Sequence, residues 1–267
     1  MRVLSPCLLL ATALLAGCAT PPPASDPEAL ADFRQTNDPL EPANRVFYAI
    51  NDGIDAVVLR PLAVGYNYAV PEVIRTHVHN VLVNMDNPML LANDMMEGQP
   101  RRAGDTLMRL LINTTIGIGG IFDVASGLGY AGHDGDFGVT LAVWGVPSGP
   151  FLYLPILGPT DPRDAIGYGV DFALDPQTWL VTSGPGLDLE YARYGLYLID
   201  IRSSLLEDLD KVKEQALDPY ATFRSLYRQH RQAEINAVVN DHRATTPAWY
   251  DTPASHCPPE SNGTQTC

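Results

Sequence analysis

Residues 136–163 read DFGVTLAVWGVPSGPFLYLPILGPTDPR. Nine of these twenty-eight residues are Gly or Pro, and between them stand Trp144, Phe151, Tyr153, Leu154 and Ile156 with almost no charge. Turn-forming residues usually keep polar company at a surface. Here the backbone bends repeatedly among apolar side chains, so its N–H and C=O groups need protein partners. The expectation is a mainly α single domain in which amphipathic helices wrap an irregular, Gly/Pro-rich apolar centre.

Working outward, helix starts are marked by proline, which is favoured at the first helical position because its missing N–H would be unpaired there anyway. Pro71, Pro88, Pro100, Pro162 and Pro219 are read as such starts, with Asn87, Asp161 and Asp218 as caps, and Pro42 opens another helix. Apolar residues recur at helical spacing in three of them: Phe47, Ile50, Ile54 and Val57; Ile74, Val78, Val81 and Met85; Leu107, Leu110 and Leu111. The longest periodic run, Leu187 to Leu217, predicts one helix with a bend at Gly195. Asp200, Arg202, Glu207, Asp210, Lys211 and Glu214 lie off its apolar stripe. None of these segments has the length and apolar content of a membrane-spanning helix.

Several collinear motifs point to a known family. The central stretch is flanked by NDPLEPANRVFYAIND from Asn37, VPEVIRTHVHNVLVNMDNP from Val70, RLLINTTIGIGGIFDVAS from Arg109, DIRSSLLEDLD from Asp200 and LDPYATFRSLYRQHR from Leu217. Together they closely resemble the MlaA family, also called VacJ, outer-membrane lipoproteins of Gram-negative bacteria. The resemblance covers roughly Asn37 to Arg243. It implies an MlaA-like disc with an amphipathic channel. It also implies removal of mislocalised phospholipids from the outer leaflet, their transfer to a soluble periplasmic lipid-binding protein, and association with a trimeric porin. In the family the neighbourhood of residues 46–52 lies near the membrane-facing opening. Here it combines Phe47 and Tyr48 with Asn51 and Asp52. Those four, with Asp200 and Arg202, are the lipid-path candidates, although Phe47 also suits plain helix packing and Asp200 and Arg202 suit an ion-pair framework.

The N-terminus fits the same address. Arg2 precedes the apolar run Leu8 to Leu15, which is of signal-peptide length, and Leu15-Ala16-Gly17-Cys18 resembles a lipobox. The expected layout is a signal peptide over 1–17, a lipidated Cys18 and flexible tether over 18–36, the MlaA-like domain over 37–243 and a disordered Pro/Ser/Thr-rich tail over 244–267. One acyl chain holds only marginally, so lasting anchorage calls for several on Cys18. Ala19 stands where a lipoprotein retained at the inner membrane would carry aspartate, which directs the chain to the outer membrane, facing the periplasm. Cys257 and Cys267 remain in the tail, either paired in an oxidising periplasm or free.

Composition narrows the function classes. The formal net charge is −14 and the sequence shows no run of Lys or Arg, so nucleic acid has no electrostatic footprint here and anionic headgroups are not the main membrane attraction. Contact with the bilayer therefore falls to apolar faces and the anchor. His77 and His79 are two residues apart and point to different sides of a helix, which argues against a shared metal. The turn His133-Asp134-Gly135-Asp136 lacks the ligand run of a calcium loop, and Gly117-Ile118-Gly119-Gly120 lacks the Lys of a phosphate loop. No G-x-S-x-G occurs, and no cofactor is expected beyond the acyl chains, with phospholipid as the transported ligand. Two other readings stay open at this point: a porin-associated structural lipoprotein without transport, and a periplasmic lipid hydrolase, because catalytic triads are spatial.

Overall fold

The computed structural model describes residues 38–180 and 185–240 and the isolated positions 23, 25, 26 and 36, without the side chains of residues 179–190. Cys18, Cys257, Cys267, the signal peptide and the tail lie outside the described residues. The helices are α1 (Glu41–Ile54), α2 (Arg60–Ala69), α3 (Glu72–Met96), α4 (Pro100–Thr115), α5 (Val124–Gly127), α6 (Phe137–Val143), α7 (Pro162–Leu174), α8 (Pro176–Leu180), α9 (Pro185–Ser204), α10 (Leu206–Gln215) and α11 (Pro219–Val239). A hairpin of β1 (Leu152–Leu154) and β2 (Gly158–Thr160) is the one sheet among the described residues. The mainly helical expectation holds.

Most of the proline reading holds as well. Pro100, Pro162 and Pro219 occupy first helical positions. Asp161 accepts from the Asp164 N–H and Asp218 from the Ala221 N–H, which satisfies donors the helices cannot. Pro71 is the residue before α3 rather than its first. Pro88 does not start a helix: it lies inside α3, and Asn87, read as its cap, is a buried side chain donating to Asn84 Oδ1. An interior proline costs about 3 kcal/mol, which α3 recovers through packing along its 25 residues. Between α1 and α2, residues Asp55–Leu59 form one π turn. Pro61 follows and offers no N–H, so the wider turn absorbs a bond the regular ladder would miss. The run from Leu187 continues as helix through Gly195 and is broken at Leu205. There Ser203 Oγ donates to the Asp200 carbonyl and Ser204 Oγ to the Ile201 carbonyl, and such bonds compete with the helical ladder.

The packing places α3 beside α4, α7 on α6, α9 on α2, and α1 against β1. The last contact shows how the Gly/Pro stretch is held. Asn44, on α1, donates to the Phe151 carbonyl at 3.0 Å and accepts from the Tyr153 N–H at 3.0 Å. Two turns on, Asn51 donates to the Leu154 carbonyl and accepts from the Ile156 N–H, both at 2.8 Å. Two side-chain amides thus stand in for a missing strand along the free edge of β1, answering the need for partners around irregular backbone. Phe151, Tyr153 and Tyr220 form the buried cluster, with Phe47, Tyr48 and Tyr227 packed against it.

The apolar centre is narrower than the sequence suggests. Phe151 and Tyr153 turn inward, whereas Trp144, Val146, Ile156 and Leu157 are exposed. The same inversion runs through the helices. Ile50, Ile54 and Val57 of the α1 stripe, Ile74 of α3, Leu107 and Leu111 of α4 and Tyr191 and Leu198 of α9 face outward, Val57 at 76 % exposure. Among the described residues, buried polar and charged side chains outnumber buried apolar ones by more than two to one. In water each exposed apolar side chain forfeits about 25 cal/mol per Å², and every buried charge needs a partner. The arrangement is economical when hydrocarbon lies outside.

Candidate functional site

Three of the interior groups of charges bear on the site. The first is a small polar cleft of about 70 Å³ between α3 and α4, lined by His79, Asn80, Val83, Asn84 and Asn87 on one side and Arg109, Asn113 and Asp123 on the other. Asn80, Asn84 and Asn87 recur at helical spacing, so α3 lays a row of amides along this face. Opposite them, Arg109 donates to Ser126 Oγ at 2.8 Å, to the Tyr130 carbonyl at 2.7 Å and to Asp123 at 3.1 Å. Asn113 donates to Asp123 at 2.9 Å and accepts from the Ala125 N–H. Burial opposes charge on Asp123, but Ser126, Asn113 and Arg109 hold its carboxyl below the usual range. Gly120, at φ +94°, packs on Asn84 where a Cβ would come within 2.5 Å of the side chain, so the glycine run serves close packing.

The second place is a socket around Arg231 on α11. Its Nε lies 2.5 Å from Asp164, and two further nitrogens hold Asp136 at 2.7 and 2.8 Å. Tyr227 donates to Asp164 at 2.5 Å and Arg163 Nε at 2.9 Å. Arg228 and Arg231 of α11 meet Arg163 along a second cleft, so the fold assembles arginines that the sequence keeps apart. The third is the belt Asp52–Lys213–Asp55–Arg202: Lys213 Nζ reaches Asp52 at 2.6 Å and Asp55 at 2.9 Å, and Arg202 reaches Asp55 at 2.6 Å.

The sequence-selected residues fall into these places unevenly. Phe47 and Tyr48 pack on the aromatic cluster, Tyr48 edge-on to Tyr153 with centroids 5.6 Å apart. Asn51 holds the hairpin and Asp52 meets Lys213. Asp200 accepts from His79 Nδ1 at 2.8 Å and so borders the polar cleft, while Arg202 belongs to the belt. Asp52 and Arg202 are joined through Lys213 and Asp55, whereas Asp200 pairs with His79. His77 and His79 do part company: His77 Nδ1 meets the Ile121 carbonyl at 3.0 Å, and its ring stacks edge-on against Phe122. Among the described residues no group of three or more His, Cys, Asp or Glu side chains is placed to hold a metal ion. Sequence reasoning missed Asn80, Asn84, Asn87, Arg109 and Asn113. Their amide periodicity on α3 and the i, i+4 spacing of Arg109 and Asn113 were the available signal.

One buried carboxyl near the end of α3 gives a pH test. Glu97 Oε1 accepts from Thr140 at 3.2 Å, whereas its other oxygen has no hydrogen-bond partner. Burial and then the charge of Asp94 push its carboxyl up to about 7, Arg102 only partly offsetting them. The folded state therefore holds this proton more tightly than the unfolded chain does. The associated stability is present at about pH 4.5 and lost as pH rises through about 7. Glu97→Gln should match the wild type at pH 5 and exceed it by roughly 1–2 kcal/mol at pH 8, read as the difference in thermal midpoint across a pH series.

Fold and site define a class: a mainly helical protein that turns apolar faces outward and keeps many of its ionised groups buried. Among the described residues no helix is long and apolar enough to cross a membrane. The family model for the MlaA lipoprotein matches residues 36–234. The chain belongs to the MlaA lipoprotein family. It is 35 % identical over 231 residues to the intermembrane phospholipid transport system lipoprotein MlaA of Haemophilus influenzae, covering 85 % of this chain and 88 % of that one. An uncharacterized protein of Rickettsia bellii is 36 % identical over 208 residues, covering 78 % and 80 %. A structure solved in work on the structural basis for maintenance of bacterial outer membrane lipid asymmetry superposes with a TM-score of 0.65 at 31 % identity, covering 74 % of this chain and 99 % of that one.

Proposed function

We propose that this protein moves phospholipids between membranes and thereby maintains outer-membrane lipid asymmetry, as the names of its relatives suggest. The observation that carries the reading is the inverted burial: apolar helix faces outside, a polar cleft and ion-pair belts within. A phospholipid has a polar head and two tails. A body wet inside and oily outside lets the head enter while the tails stay in hydrocarbon, avoiding the cost of placing a charge there. The finer assignments rest on the family resemblance. They are removal from the outer leaflet, delivery to a soluble periplasmic lipid-binding protein, association with a trimeric porin and anchorage by acyl chains on Cys18. The lipid-path candidates Phe47, Tyr48, Asn51, Asp52, Asp200 and Arg202 belong with them. Deleting the gene should raise the outer-leaflet phospholipid released by phospholipase added to intact cells, and a wild-type copy should restore it. An unchanged release would instead support a structural lipoprotein without transport.

A further inference from the structure

The junction of α2, α3 and α9 sits at one end of the polar cleft and is wired differently from the rest of the interior. The buried arginines sit on carboxylates, whereas the half-buried Arg75 has none within 4 Å among the described residues. Its Nη1 donates to the neutral amide of Asn67, which itself donates to the Ser203 carbonyl at 3.2 Å. Arg75 Nε is buried with no partner, and so is the hydroxyl of Tyr66. A buried unmet donor costs on the order of 1–3 kcal/mol. Here two such donors accompany a guanidinium with no carboxylate in contact, in a chain of net charge −14.

The neighbours extend the pattern. His79 lies one helical turn beyond Arg75 on the same face of α3 and lines the cleft. Its Nδ1 donates to Asp200, leaving Nε2 as the ring's other polar atom. The Tyr66 hydroxyl lies in the field of both Asp200 and Arg75, burial above all holding its pKa up so that it remains a donor. The outer surface of the same segments is apolar, with Val64, Tyr68, Val73 and Ile74 all exposed. Donors and a guanidinium with no carboxylate in contact inside, Asp200 being taken up by His79, with an apolar rim outside, match a singly charged oxyanion attached to hydrocarbon.

We propose that Tyr66 Oη and Arg75 Nε form a recognition site for a phosphate ester, with His79 beside it on the cleft side. The proposal rests on the transport reading and deepens it, by naming the group that holds a headgroup at this end of the cleft. Both atoms are closed from solvent in the empty state. Occupancy therefore draws Arg75 away from Asn67 and replaces a neutral amide acceptor with an oxyanion that the planar guanidinium can hold through two parallel bonds.

The test uses the full chain purified in a non-ionic detergent, with calorimetric titration of dihexanoylphosphatidylcholine, dihexanoylglycerol and inorganic phosphate. Tyr66→Phe removes a hydroxyl that no group satisfies, so it should fold as well as the wild type; Arg75→Lys keeps the charge but loses the Nε–H. Each should weaken phosphatidylcholine binding about 10-fold or more and leave dihexanoylglycerol unaffected. A wild-type preference for the phospholipid over inorganic phosphate identifies a lipid headgroup as the source of the ester. Equal affinity identifies free phosphate and overturns the headgroup assignment. If the wild type and both folded variants bind the phospholipid equally, this site is wrong and the transport reading stands. If the wild type binds no phospholipid, the transport reading fails with it.

Discussion

Replacing Arg231 by methionine should destabilise the fold by about 3–5 kcal/mol, the cost of removing one partner from a buried ion pair. Methionine keeps much of the bulk and all of the apolar stem but abandons Asp164, which is fully buried, and Asp136. Burial alone would raise the Asp164 carboxyl; Arg231, with Tyr227 and Arg163, holds it below the usual carboxylate range. Losing the guanidinium reverses that balance. At neutral pH the variant must either hold the buried Asp164 charge on Arg163 and Tyr227 alone or take up a proton. Sign and window follow from the lowered pKa: the wild-type stabilisation is present above about pH 3.8 and fades as pH falls through the still lower folded value. The gap between variant and wild type in denaturant midpoint should therefore be widest near neutral pH and close in acid. A conservative Arg231→Lys should recover little, since one ammonium cannot span both carboxylates with the fork of a guanidinium. An Arg231→Met protein as stable as the wild type at pH 7 would show that Arg163 and Tyr227, without Arg231, suffice to hold the Asp164 charge.

How much of this was legible beforehand depends on whether the signal is local. The caps at Asp161 and Asp218 were legible because the capped N–H lies three residues away on the same stretch of chain. Membership of the family was legible from long collinear motifs. The direction of each helix was not. Ile50, Ile54 and Val57 fix the helical period, but the same stripe faces a core in water and hydrocarbon at a membrane, and the sequence carries no mark of which. The interior pairs were equally hidden. Arg231 and Asp136 are 95 residues apart, Arg202 and Asp55 147, and no local pattern selects those partners from the many acidic residues available. Leu205 shows a third kind of gap, where two serine hydroxyls end a helix whose apolar period continues without a break.

Gly167→Ala should leave little folded protein, whereas Gly169→Ala, two residues along the same helix, should be neutral or stabilising. The two glycines share α7 and differ only in what their missing side chains would meet. At Gly167 a Cβ would stand 2.5 Å from the Gly138 nitrogen and 2.9 Å from its Cα. Both are backbone atoms of α6, so no side chain can rotate out of the way. Gly138 itself has no room to retreat, because a Cβ there would lie 2.5 Å from both Arg231 and Asp164. The α6–α7 crossing is thus set by two facing glycines, and its closeness is what brings Asp171 to the Phe137 N–H at 3.0 Å and Arg231 onto Asp136. One methyl at Gly167 forces the helices apart and loosens all of these bonds together, an overpacking cost of 1–3 kcal/mol or more on top of the ion pairs weakened. At Gly169 nothing lies within 4 Å, and alanine gains about 0.5–1 kcal/mol in helix propensity. Accumulation and protease resistance of the two variants, side by side, measure the difference. Equal behaviour would mean that α6 and α7 do not approach as closely as this packing requires, and the arginine socket built on their crossing would fall with it.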